Sequence, residues 1–122
     1  PKIASALAKA VQKVGRNPRF LMQINIGEEP QKAGIPPADA EAFLNNCKEL
    51  GQLSIVAVLC IPPGDHPPEP YFERVSAFAL SHKLDVVSMG MSAAFEAAIQ
   101  TGATHVRLGS AIFGVRTQNL PA

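Results

Sequence analysis

Two short glycine–serine turns carry the chemistry this sequence offers: SMGMS at Ser88–Ser92 and VRLGS at Val106–Ser110. Each stands where an apolar run of strand character gives way to a helical one, so main-chain N–H groups of both turns should face out of one sheet end. Gly90 and Gly109 permit a positive φ or a close approach of the main chain to a ligand. Ser92 and Ser110 are of the type that caps a helix start, adding a hydroxyl to its unpaired N–H groups. Such a start favours an anion, and two that converge suit a phosphate monoester. Arg107 stands two residues before Gly109. On an extended strand it points to the same side as Gly109 and away from Val106 and Leu108. The residues therefore predict a phosphate cradle with one inward arginine. Taken singly, each turn is also what an ordinary loop and cap look like; recurrence in consecutive strand–helix units gives the pattern its weight.

The elements that must position these turns come from hydrophobic periodicity. Ile3, Leu7, Ala10, Val11 and Val14 recur at helical spacing, and Gly15 with Asn17-Pro18 ends that helix. Phe20–Ile26 reads as a strand, residues 27–34 as a polar loop, and Ala38–Leu50 as a helix with Ala40, Phe43, Leu44 and Cys47 on one face and Gly51 after it. Leu53–Ile61 is a nearly continuous apolar run, the mark of a parallel strand covered on both faces. A proline-rich loop, Pro62–Pro70, precedes a helix over Tyr71–His82 with Phe72, Val75, Phe78 and Ala79 inward. Asp85–Met89 is the third strand, Ala93–Gln100 the fourth helix and Thr104–Leu108 the fourth strand. Alternating elements of this kind specify an α/β fold with parallel strands, whose site lies at the carboxyl ends of the strands. A cradle supplied by the last two strands is the arrangement of (β/α)8 barrels. About four parallel strands with helices outside make half of one: a half-barrel over residues 1–116, with a frayed tail at 117–122.

Bulk properties bound the partners. The chain has 122 residues, 47% of them hydrophobic, enough for a core. Eleven Lys and Arg against ten Asp and Glu give a net charge of +1, and no basic run is interleaved with aromatics, so nucleic acid is not expected. No apolar run approaches the ~20 residues of a membrane span and none has the form of a signal peptide. Cys47 and Cys60 fall within apolar patterns and read as reduced core residues of a cytoplasmic protein. His66, His82 and His105 lack metal-ligand spacing, so no metal is expected. Glu28 and Glu29 read as solvated loop charges, Cys60 as inert packing, and Met89 and Met91 as core by residue type; Asn25 stands where it could reach a ligand ring.

Four blocks in order, QINIGEEPQKAGI, the strand ending CIPP, SMGMS-x-x-FEAAI and GATHVRLGSAIFGVR, resemble the pyridoxal-phosphate homeostasis proteins (YggS/PROSC type), single-domain relatives of the alanine racemase barrel. The resemblance runs from Pro1 to about Arg116. It implies a C-terminal half of a (β/α)8 barrel that binds pyridoxal 5′-phosphate and buffers or hands on the cofactor without catalytic turnover. By resemblance, Met91, Ser92, Gly109 and Ser110 match the positions that hold the phosphate, and Arg107 matches the arginine that faces the pyridine nitrogen. No catalytic residue is implied.

Two departures matter. The family's aldimine lysine lies in an N-terminal half with no counterpart here, and none of Lys2, Lys9, Lys13, Lys32, Lys48 and Lys83 matches it. Lys32 is the lysine expected at the cofactor end of the sheet. The family also carries aspartate where Ala94 stands. An acidic first turn adds about 0.3–1 kcal/mol to an exposed helix start, so its loss should loosen that helix slightly. Open strand edges predict either self-association into a closed barrel or pairing with an N-terminal half. Two other readings stay open: a structural half-barrel binding at most phosphate, and a racemase-like enzyme, which would need a lysine and an opposing acid–base group.

Overall fold

The computed structural model describes residues 2–50 and 53–117. Gly51, expected to end the second helix, and residues 118–122 of the expected tail lie outside them. Helix α1 (Lys2–Val14) leads into strand β1 (Arg19–Ile24), a single 3-10 turn (Pro37–Asp39) and helix α2 (Ala40–Glu49). Strand β2 (Ser54–Cys60), helix α3 (Glu69–Ser81) and strand β3 (Val86–Ser88) follow, then two short helices, α4 (Phe95–Gln100) and α5 (Ser110–Phe113). The strands form one parallel sheet in the order β1-β2-β3. Leu21 pairs with Ala57 and Gln23 with Leu59, while Ala57 pairs with Val86 and Leu59 with Ser88. A register shift between Phe20 and Leu21 leaves Val56 without a partner on β1.

The fourth expected strand, Thr104–Leu108, is not a strand. Its pairing with β3 reduces to one parallel bridge, Ser88 with His105. Two local bonds explain this. At its start, the Thr104 hydroxyl accepts from the Val87 N–H at 2.8 Å and so replaces main-chain pairing. At its end, the Arg107 N–H reaches the Gly90 carbonyl at 2.9 Å, because the chain has already turned out of the sheet at Gly90, where φ is +93°. The fold is therefore a three-stranded α/β sheet with a fourth segment running alongside it.

Parallel partners point to the same side of a sheet, so the register sorts the side chains into two faces. Met22, Ile24, Val58, Cys60, Val87 and Met89 lie on the face packed by helices and form the core with Leu44, Phe72, Val75 and Ala79. Burying an aliphatic or aromatic side chain of this kind contributes roughly 1.5–3 kcal/mol. Leu21, Gln23, Ala57, Leu59, Val86 and Ser88 lie on the other face; Leu21, on the edge strand β1, is 49% exposed, whereas Ala57 and Ser88 are buried. No residue of β2 is exposed, in keeping with its nearly continuous apolar run.

In helix α1 the residues at helical spacing do not form the buried face: Ile3, Leu7, Ala10 and Val14 are exposed and Val11 is half-buried, and the buried stripe is Ala4 and Ala8. Small side chains at i and i+4 let α1 sit close to Cys47 and Leu53, with Phe20 and Phe43 at the margin. Ile3 and Leu7 instead line an apolar groove of about 790 Å³ with Phe20, Leu21 and Phe43.

Candidate functional site

At the carboxyl end of β3 the chain enters the SMGMS turn, and the turn's shape is set by Gly90. A Cβ there would lie 2.5 Å from the Ala98 Cβ, so only glycine fits both the left-handed backbone and the packing of α4. From Gly90 the chain makes a turn closed by the Ala94 N–H on the Met91 carbonyl at 2.9 Å. This turn delays the helix. α4 begins at Phe95 with Ala94 at its cap, so Ser92 is not the cap of the helix that follows it.

Ser92 caps another helix instead. Its Oγ accepts from the Gly109 N–H at 3.3 Å and from the Ala111 N–H at 3.0 Å. The hydroxyl therefore binds the start of α5 from across the site and brings the two glycine–serine turns into direct contact. Ser110 is not a cap either: Gly109 holds that position without a side-chain bond, and Ser110 is the first, exposed residue of α5. Met89 is core as expected, but Met91 is not: it is 47% exposed and lines a cavity of about 310 Å³ with the proline loop, Cys60, Phe72 and Ala94.

Gly109 differs from Gly90. Its φ is −114°, which other residues adopt, and a Cβ built there meets nothing within 4 Å. Neither backbone strain nor packing requires glycine at this point. The Gly109 and Ala111 N–H groups are taken by Ser92 Oγ, but among the described residues the N–H groups of Met91, Ser92, Ala93 and Ser110 have no acceptor. Those groups, with the Ser92 hydroxyl hydrogen beside the open space at Gly109, are donors that fit a phosphate group.

Arg107 reaches back from the 104–108 segment across two strands. Its Nη1 donates to Ser88 Oγ at 2.6 Å and its Nη2 to the Cys60 carbonyl at 3.1 Å. The guanidinium is half-buried and fixed at the carboxyl ends of β2 and β3. Cys60, whose side chain is in the core, has its thiol pushed up to about 11 by burial, with the nearby Arg107 charge pulling the other way. At neutral pH it is a protonated core thiol, not a nucleophile.

The remaining loops at this end bind themselves. Asn25, considered above as a residue that could reach a ring, donates from Nδ2 to the Glu29 carbonyl at 2.8 Å and accepts the Glu29 N–H at 3.1 Å. It organises the loop after β1 and is committed there. Lys32 forms an ion pair with Glu29 and donates to the carbonyls of Ile61 and Pro62 at 3.3 and 3.1 Å. It is therefore not a free loop lysine but a tie between the loops after β1 and β2, and Glu29 is part of that tie. His105 shares the sheet face of Ser88, its ring nitrogen 2.9 Å from the Thr104 hydroxyl. Among the described residues no group of three or more His, Cys, Asp and Glu could hold a metal, and no helix is long and apolar enough to cross a membrane.

Ser88 and the Ala111 N–H were not singled out from the sequence. The signal for Ser88 was present: a serine two residues before Gly90, at the end of an apolar strand, where a buried hydroxyl must find a partner. Nothing local pointed to Ala111, whose donor is placed only by the folding of α5 against Ser92.

The model of the alanine racemase N-terminal domain matches residues 1–117. A pyridoxal phosphate homeostasis protein of Pseudomonas aeruginosa is 39% identical over 112 residues, covering 83% of this chain and 46% of that protein. Its counterpart in Aquifex aeolicus is 35% identical over 105 residues, covering 79% and 46%. The chain thus spans about half the length of the curated relatives it matches. Among solved structures, PipY of Synechococcus elongatus without PLP superposes with a TM-score of 0.83 at 30% identity, over 93% of this chain and 57% of PipY. The same protein with PLP bound gives 0.80 at 29% identity. With the domain model matching nearly the whole chain and these relatives alongside it, the chain belongs to the family of the alanine racemase N-terminal domain, on its branch of pyridoxal phosphate homeostasis proteins.

Proposed function

We propose that this chain is the phosphate-gripping half of a cytoplasmic pyridoxal 5′-phosphate carrier, a C-terminal half-barrel that serves cofactor homeostasis without turnover of its own. The observation that carries the reading is the Ser92 hydroxyl bonded to the Gly109 and Ala111 N–H groups, which joins both turns beside Arg107. Met91, Ser92, Gly109 and Ser110 form the cradle, and Arg107 stands toward the ring. PLP bound to PipY and the names of the curated relatives support the choice of ligand.

When bound, the cofactor supplies an aldehyde and a ring that can act as an electron sink. The residues here restrain that chemistry. A permanently charged guanidinium beside the ring nitrogen disfavours its protonation, and an unprotonated ring is the poorer sink. Lys32 is held by Glu29 and two carbonyls. No described residue is placed as the lysine and opposing acid that a racemase-like enzyme requires, which favours a carrier. The sheet face that carries the exposed Leu21 and the groove beside α1 suit closure by a second copy or by an N-terminal half.

The same face supports a second reading, a structural half-barrel that binds at most phosphate. Thermal shift separates the two, with pyridoxal phosphate, inorganic phosphate and pyridoxal as ligands. On the carrier reading pyridoxal phosphate stabilises most, phosphate less and pyridoxal hardly at all, and Ser92→Ala loses the shift. Equal small shifts from phosphate and pyridoxal phosphate would leave only the structural half-barrel.

A further inference from the structure

Ser88 is the one buried polar residue among the described residues, 6% exposed, and it lies on the sheet face opposite Val58 and Val87 of the helix-packed core. A buried hydroxyl requires a partner. Its partner is Arg107, whose Nη1 donates to Ser88 Oγ at 2.6 Å, while Nη2 donates to the Cys60 carbonyl at 3.1 Å. The two acceptors sit on neighbouring strands, β3 and β2. A planar guanidinium held at two points on one edge has little freedom to rotate. With Nη1 and Nη2 each spending one N–H on these acceptors, the guanidinium keeps its other N–H groups for a ligand. A fixed cation with N–H groups to spare favours a ring nitrogen with a free lone pair and disfavours the protonated ring.

We propose that Ser88 is a positioning residue: by accepting from Arg107 it holds the guanidinium as a donor to an unprotonated ring nitrogen of a bound pyridoxal-type phosphate ester. The inference rests on the carrier reading and deepens it. Grip on the phosphate and selection of the ring are then separate devices. Ser92 and the α5 N–H groups provide the first, and the Ser88–Arg107 pair provides the second.

The test uses pyridoxine 5′-phosphate, which lacks an aldehyde and so binds without any lysine, with inorganic phosphate as its partner. Affinity for both and the pH midpoint of ring protonation in the bound ligand, read by fluorescence, are measured for the unchanged chain and for Ser88→Ala, Ser88→Cys and Ser88→Thr. Cysteine keeps the size of serine but is a weak acceptor, so it serves if alanine disturbs folding. The alanine and cysteine variants should bind phosphate as before, lose about tenfold in pyridoxine phosphate affinity, and protonate the bound ring at higher pH. Threonine should restore both. If the unchanged chain prefers pyridoxine phosphate to phosphate and the alanine and cysteine variants keep its affinity and midpoint, the inference is overturned while the carrier reading stands. If the unchanged chain gains nothing from the ring, the carrier reading fails and takes the inference with it.

Discussion

The loops after β1 and β2 leave the same end of the sheet as the turns after β3 and after the 104–108 segment, yet they use their polar groups in opposite ways. On the first side, Asn25 holds the Glu29 main chain and Lys32 ties Glu29 to the carbonyls of Ile61 and Pro62. The polar groups there largely bind one another, and the loops form a closed wall. On the second side, one hydroxyl, Ser92 Oγ, gathers two N–H groups from a different element, and Gly109 beside it faces open space. A wall that satisfies itself stabilises the fold, whereas an edge that keeps the Met91, Ser92, Ala93 and Ser110 N–H groups in reserve can take a ligand. The contrast explains why polar residues at the same sheet end earn different roles.

The sharpest way to break this comparison is to treat the glycines of the two turns alike. Gly90→Val puts a branched side chain at φ +93° and against Ala98 and Phe95. Left-handed strain and overpacking together should cost about 3 kcal/mol or more, seen as a large fall in the urea midpoint. Gly109→Ala meets neither strain nor a neighbour, so its unfolding midpoint should stay within about 0.5 kcal/mol of the original. Its added methyl should nevertheless remove the phosphate-dependent thermal shift. A Gly109→Ala chain that still binds phosphate normally would show that the open space is not part of the cradle.

A second, smaller effect probes the strand end between the two sides. The Cys60 thiol rises from 9.0 to about 11, chiefly through burial, and such a shift corresponds to about 2–3 kcal/mol. The folded state keeps its proton where the unfolded chain has lost it. This contribution is therefore complete below pH 9 and is lost as pH rises through 11. Cys47 is shifted in the same direction by burial and adds to the slope. Unfolding free energy measured from pH 8 to 11 should fall, and Cys60→Ala should flatten much of that fall at the cost of a small cavity. An unchanged slope would place the titration elsewhere.

Legibility in the sequence followed the range of the forces involved. Strand and helix periodicity located every α-helix longer than one turn and the first three strands, because a buried stripe leaves its mark in neighbouring residues. The fourth strand was lost to Thr104 and Gly90, two residues whose competing bonds carry no periodic signal. The apolar surface left open on α1 and β1 has a different reason. Apolar patterns announce which faces need cover, not whether the chain supplies it, and Ile3, Leu7 and Leu21 remain exposed. At the site, the positive φ of Gly90 agrees with the turn read there, whereas the reach of Arg107 to Ser88 and Cys60 comes from a segment that is not the strand its parity argument assumed. Ser92 was identified as a cap, but which helix it serves depends on the three-dimensional meeting of two turns that lie seventeen residues apart.

The smallest prediction concerns the closed wall itself. Lys32 and Glu29 are each about a quarter exposed in their side chains, and Lys32 adds two carbonyl bonds to the ion pair. A partly exposed pair of this kind contributes up to about 1 kcal/mol. Lys32→Met keeps the aliphatic stem, removes the charge and leaves a largely enclosed Glu29 oxygen without its cation, so stability should drop by about that amount. Glu29→Gln in the same background should recover part of the loss, since a neutral amide no longer needs the ammonium. Neither change should alter the phosphate shift, because the wall shares no bond with Ser92, Gly109 or Ala111. A loss of phosphate binding in Lys32→Met would mean that the two sides of the sheet end act as one site, with the lysine reaching the cradle when an anion is present.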